Sequence, residues 1–255
     1  MIPGQNFLEF FHRCLAHANV FFRRRPGNIL GGIRGGQIEP RVGERRIKIL
    51  SLFEVLNGLN EGIPPAVHFS YTPGSFVKAH PGTSVLARIW KPYFDRNYLH
   101  FSSHRQTAYD EPTNYVAAAQ KSNVIYISFP IFSGYALNAY NVQKLLVRNC
   151  IARLLPNPLI KTNAPSTAEL TVTEQQGRRI VHVLHYPAQR RCPDLDIVED
   201  VLPLSNVKLA MRLEQRPAKV YLAPQRQSLR FDYAEGYAQV VVPVVQGHQM
   251  IVFEV

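Results

Sequence analysis

Between Val207 and Glu214 apolar and polar residues alternate without a break: Val207, Leu209, Met211 and Leu213 are separated by Lys208, Ala210 and Arg212, and Glu214 follows. Successive side chains of a strand point to opposite faces, so this period of two predicts a strand with one dry and one wet face. The surroundings repeat the theme. Leu170 and Val172 lead into a turn at Gln175-Gln176-Gly177, and Val181 and Val183 then lie opposite Ile180, Leu184 and Tyr186, which predicts a central strand apolar on both sides. Further strands are expected at Lys219–Ala223, Ser228–Tyr233, Tyr237–Val245 and Gln249–Val255, with turns at Glu235-Gly236 and Gln246-Gly247. Short strands punctuated this regularly predict an antiparallel β-sandwich over residues 159–255.

Residues 51–158 read differently. The run NVIYISFPIF (123–132) is β-branched and aromatic on both faces, as a buried strand is, and residues 138–155 place Val142, Leu145, Leu146, Asn149, Cys150 and Leu154 on one side of a helix stopped by Pro156 and Pro158. Strand, loop and helix make the unit of an α/β layer. Ile49–Leu59 has helical spacing through Leu52, Val55, Leu56 and Leu59, while Val67–Tyr71 and Ser84–Trp90 alternate as strands. The expected fold class is therefore α+β: an incomplete α/β layer over 51–158, then the sandwich.

With 255 residues, 46% hydrophobic and 18% charged, the chain has enough apolar content for real cores and is not a disordered composition. No apolar stretch approaches the ~20 residues of a membrane helix. Cys14, Cys150 and Cys192 are odd in number and far apart, which argues against a disulfide framework or structural zinc, and no secretory leader opens the sequence. A cytoplasmic protein is expected. The net charge of +11 is lopsided, since residues 1–50 hold nine Lys/Arg against three Asp/Glu and the other 205 residues hold 20 against 15. Gly27, Gly31, Gly32, Gly35, Gly36 and Gly43 crowd that basic end, so residues 1–50 read as a Gly/Arg-rich extension, behind a short amphipathic stretch around Phe7, Phe10 and Phe11. Salt-sensitive, sequence-blind nucleic-acid binding through Arg13 to Lys48 is the second functional reading.

The densest polar cluster is PYFDRNYLHFSSH (92–104). Tyr93, Phe94, Asp95, Arg96, His100 and His104 combine aromatic faces with polar groups in one loop and are the candidate carbohydrate or interface residues, set against the alternative of a packed turn held by Asp95 and Arg96. His100 and His104 have i, i+4 spacing, but the metalloprotease pattern needs Glu where Phe101 stands, so no metal site is expected. His182 and His185 lie three apart on a strand, point to opposite faces and cannot share a metal. Asp194, Asp196, Glu199 and Asp200 lack the central Gly of a calcium loop and read as a solvated loop. No G-x-S-x-G elbow and no phosphate-binding glycine loop occurs, and Cys192 has no evident base. No catalytic set and no cofactor site is expected.

Residues 92–104, residues 123–158 and the tail segments IVEDVLPLSNVKLAMRL, VYLAPQRQSLRFDY and VPVVQGHQMIVFE together resemble the C-terminal portion of bacterial multidomain glycoside hydrolases of the β-galactosidase and α-L-fucosidase-like type. The resemblance covers roughly residues 62–255. It implies a glutamine-amidotransferase-like domain, the β-galactosidase trimerisation domain, followed by a small β-sandwich, with catalysis on a (β/α)₈ barrel. Such a barrel needs about 250 residues and does not fit before residue 62, and residues 1–50 resemble neither part. The two carboxylates of glycoside hydrolysis belong to that barrel, so no catalytic residue carries over. The expectation is a separately encoded or truncated accessory piece, its first residues read from another frame, that self-associates or pairs with a barrel-bearing glycosidase subunit through an apolar strand edge. Hydrolysis by the chain itself, through Asp95 or His104, is the third reading.

Overall fold

The structure, a computed structural model, describes Val20–Arg23 and residues 50–56, 58–94, 97–102 and 107–255. The chain divides into two compact units, the first ending at Pro156 and the second running Asn157–Val255. Both are β-rich. Of the basic segment read as a nucleic-acid contact, only Val20–Arg23 falls among the described residues.

In the first unit, strands β1 (Val20–Arg23), β2 (Leu50–Val55), β3 (Val67–Pro73), β4 (Ser84–Pro92), β5 (Tyr109–Lys121) and β6 (Val124–Ile127) form one sheet in the order β1-β6-β5-β4-β2-β3. Every pairing is antiparallel. The strand-then-helix order expected around residue 130 is present, but it is built on this antiparallel meander rather than on the parallel strands of a βαβ unit.

Two sequence expectations change here. Residues 50–55 are a strand and not part of a helix over Ile49–Leu59. β2 lies between β3 and β4, and Leu52 and Phe53 are buried although they point to opposite faces. An interior strand covered on both sides loses its alternation, and its apolar run then imitates helical spacing. The run 123–132 is likewise not all strand. β6 stops at Ile127, and helix α1 (Ile131–Asn138) opens after Pro130, whose φ of −76° suits a helix start and whose nitrogen carries no proton to leave unpaired. Ala139, in the left-handed region at φ 48°, ends α1 by donating its N–H to the Tyr135 carbonyl, and α2 (Asn141–Leu154) follows.

Helix α2 buries Val142, Leu146, Cys150 and Leu154, one turn apart, in a core that includes Phe53, Leu86, Ile89, Ile125, Ile127 and Phe129. Polar side chains inside this unit pin loops. Asn149 Nδ2 donates to the carbonyls of Leu59 (2.7 Å) and Glu61 (2.8 Å). The ring of His68 bonds the Tyr140 hydroxyl (3.1 Å) and the Pro64 carbonyl (3.0 Å). Gly134 of α1 is required by close approach, since a Cβ there would come within 2.8 Å of Gln143 Nε2 and 3.0 Å of Thr72 Oγ1.

The second unit holds β7 (Ile160–Thr162), β8 (Glu169–Gln175), β9 (Arg178–Leu184), β10 (Gln189–Cys192), β11 (Leu195–Ile197), β12 (Leu204–Arg212), β13 (Lys219–Ala223), β14 (Gln227–Ser228), β15 (Phe231–Ala234), β16 (Tyr237–Val245) and β17 (His248–Glu254). Two antiparallel sheets, ordered β15-β16-β12-β7 and β14-β13-β17-β9-β8, supply one shared core, and β10-β11 form a separate hairpin. Val207, Leu209 and Met211 of β12 are buried with Val240 and Val242 on one side and Val181, Val183, Ile251 and Phe253 on the other. β9 is interior, as its two apolar faces require. Glu235 and Gly236 both have positive φ (51° and 76°), the conformation of a tight two-residue hairpin turn. The strand expected at Ser228–Tyr233 is split: β14 pairs with β13 in one sheet and β15 with β16 in the other, so the chain changes sheets between them.

Candidate functional site

The β4–β5 hairpin carries an aromatic surface at one end. β4 and β5 pair through repeated register shifts between Val85 and Pro92, and each irregularity adds twist. Where the ladder ends at Pro92 and Tyr109, the chain leaves as a long loop. Its base is closed by the Tyr93 N–H to the Ala108 carbonyl (2.8 Å) and by the Thr107 hydroxyl to the Phe94 carbonyl (3.1 Å). At its tip the Asn97 side-chain oxygen accepts the N–H groups of Leu99 (2.8 Å) and His100 (2.9 Å), a side-chain-closed turn of the kind Asn favours.

Of the residues singled out in the sequence, the structure brings Tyr93, Phe94 and His100 together. Tyr93 meets Phe94 edge to face at 6.1 Å, and Phe94 lies 5.9 Å from the His100 ring. Asp95, Arg96 and His104 lie outside the described residues. The loop also presents residues that sequence reasoning did not select. Tyr98 is 92% exposed, and Phe101 (75%), Leu99 (71%) and Tyr93 (69%) are nearly as open. Beneath them Trp90 packs against Tyr109 edge to face at 5.3 Å, and its indole N–H donates to Glu54 Oε2 at 3.1 Å. Trp90 is the single tryptophan of the chain, and that rarity was the available signal. Lys91 bridges Asp110 (3.4 Å) and Glu111 (3.6 Å) on the same hairpin. Exposed apolar surface edged by charge is the kind of surface that interaction sites use. Flat rings beside carboxylates and amides suit a ligand that has both apolar C–H faces and hydroxyls.

The remaining candidates separate by environment. Burial pushes the Cys150 thiol up to about 12, against the opposing pull of Arg153, so it is an inert core thiol. His185 is buried and bonds Thr167 (3.1 Å) and the Leu202 carbonyl (3.0 Å), a structural role. The acidic stretch after Cys192 is exposed; Asp196 pairs with Arg190, and Glu199 with Arg191.

His182 is held below the ordinary histidine range, first by burial and then by the neighbouring His248. The unfolded chain therefore takes up this proton more readily than the folded one. The stability linked to His182 is complete above its unfolded pKa and is lost as pH falls through its depressed folded value. Thermal midpoints measured from about pH 7.5 to about pH 5 should fall more steeply for the wild type than for His182→Gln. Parallel curves would show that His182 titrates alike in both states.

No family model and no curated protein matches the chain. Solved structures do. An α-L-fucosidase, isoenzyme 2 from Paenibacillus thiaminolyticus, aligns with a TM-score of 0.75 and 28% identity over 81% of this chain. This is a glycoside-hydrolase-like fold. The alignment takes up 32% of the fucosidase, so the chain spans about a third of the length of that enzyme. A β-galactosidase from Bacillus circulans sp. alkalophilus aligns over 99% of this chain and 26% of its own, at 9% identity and a TM-score of 0.42, a likeness too loose to argue from. Among the described residues no helix is long and apolar enough to cross a membrane.

Proposed function

We propose that these residues are a non-catalytic accessory region of a glycoside-hydrolase lineage, which offers the aromatic β4–β5 loop to carbohydrate and assembles with a second copy or with a barrel-bearing subunit. The observation that carries this reading is the fucosidase likeness at 28% identity over four-fifths of the chain, taken with the exposed rings of Tyr93 and Tyr98 on the β4–β5 loop. In this reading the first unit corresponds to part of an amidotransferase-like trimerisation layer; what supports this is the order of β6, α1 and α2 ahead of a terminal sandwich. The reading also places the protein in the cytoplasm, where the exposed Cys192 remains a thiol.

Titration of the protein with fucosyl and galactosyl oligosaccharides tests the sugar contact. Binding should weaken about 2- to 10-fold in each of Tyr93→Ala and Tyr98→Ala, the worth of one aromatic face. Both side chains are exposed, so the fold is expected to tolerate either change. Absence of binding at millimolar sugar, or binding indifferent to both substitutions, would count against the loop.

A further inference from the structure

The outer face of the β8-β9-β17 part of the sandwich brings together two histidines that stand 66 residues apart. His182 lies on β9 and His248 at the start of β17, where the register sets His248 opposite Leu184 and Met250 opposite His182. His182 Nδ1 and His248 Nε2 are 3.1 Å apart, and the two rings are parallel to within 6° with centroids 5.3 Å apart. A direct bond between two neutral imidazoles needs one proton shared between them, so the pair already aims a nitrogen lone pair into the gap. The other side of His182 is fixed as well, because its Nε2 lies 3.3 Å from the Thr173 hydroxyl on β8.

We propose that His182 and His248 form a two-point site for a divalent late transition cation of the nickel, copper and zinc group. Imidazole nitrogens bind such ions at about 2.0–2.1 Å, and two of them in neighbouring coordination positions therefore stand about 3 Å apart, close to the spacing seen here. On loading, the ring that carried the shared proton shifts it through solvent to its own distal nitrogen, with no net proton released, so that both rings stay neutral and His182 Nδ1 and His248 Nε2 are free to act as ligands. His182 Nε2–H then donates to Thr173 Oγ1, the outer-shell contact that metal-bound histidines use to hold tautomer and ring orientation. Neither ring is buried, so the ion retains water in its other positions. Met250, directly opposite His182, sets a thioether on the same face, and a soft neighbour favours copper within the group. The described residues hold no cluster of three His, Cys, Asp or Glu side chains able to take a metal, so this is an exchangeable site with two protein nitrogens and not a closed structural centre.

The test is calorimetric titration of the full chain with Cu²⁺, Ni²⁺ and Zn²⁺ separately, beside the double variant His182→Gln/His248→Gln as background. A binding event present in the wild type and absent from the double variant is expected. Either single substitution should weaken it about tenfold or more, and Thr173→Val should weaken it less than removal of a ligand does. For Cu²⁺, the electron paramagnetic resonance spectrum should show coupling to two nitrogens. Circular dichroism on each variant confirms the sandwich is intact, so that a lost event reports on ligation. Identical isotherms for wild type and double variant would overturn the proposal, as would a copper spectrum unchanged by removing either histidine.

Discussion

Phe53→Ala is expected to cost the first unit about 3–5 kcal/mol, the range for removing a large aromatic side chain from a packed core. Phe53 is fully buried at the middle of the sheet, 5.0 Å from the Phe129 ring and 5.8 Å from that of His68. Its neighbours are themselves packed: Ile89 lies opposite on β4, and Leu59, Ile125 and Ile127 are buried in the same core. The hole therefore closes only in part. Whole domains are stable by about 5–15 kcal/mol, so a loss of this size populates unfolded molecules visibly. Urea unfolding followed by circular dichroism measures it, and a change below about 1 kcal/mol would show that Phe53 is not the centre of the core.

Asn149→Leu comes next, at about 2–4 kcal/mol, by a different mechanism. The side chain is 5% exposed, and its amide is the donor that holds the loop carbonyls of Leu59 and Glu61 against α2. The Glu61 carbonyl keeps a second donor in Arg148 (2.9 Å), but leucine leaves the Leu59 carbonyl without its side-chain donor inside the core. An orphaned buried acceptor costs roughly 1–3 kcal/mol, and the branched side chain adds strain where a planar amide fitted. Asn149→Asp should be no better near neutral pH, because a carboxylate turned toward two carbonyls replaces attraction with repulsion. Urea midpoints for the two variants check this. Stability within about 0.5 kcal/mol of wild type in Asn149→Leu would mean that the loop is held by something else.

How much was legible in the sequence differs between the units for one physical reason. The second unit declares itself because β12 has one wet face, so Val207, Leu209 and Met211 stand out against Lys208 and Arg212. β2 hides because Leu52 and Phe53 are buried on opposite faces, so the run loses its alternation and imitates helical spacing instead. The same holds after Ile127, where apolar residues continue from strand into helix and only Pro130 marks the border. In the candidate site, Tyr93, Phe94 and His100 could be grouped because they are close in sequence. Trp90 with Glu54, and His182 with His248, could not, because each pair is set by strand register across 36 or 66 residues. Periodicity shows which face a residue occupies; it does not show which distant residue shares that face.

Under the proposed accessory role these residues do not themselves cleave a glycosidic bond. Incubation of the purified 255-residue protein with nitrophenyl α-L-fucoside and nitrophenyl β-galactoside tests that most directly. Release of nitrophenol no faster than in buffer is the expected result. Steady turnover on the order of 1 s⁻¹ or more, in the range of ordinary enzymes, would contradict it.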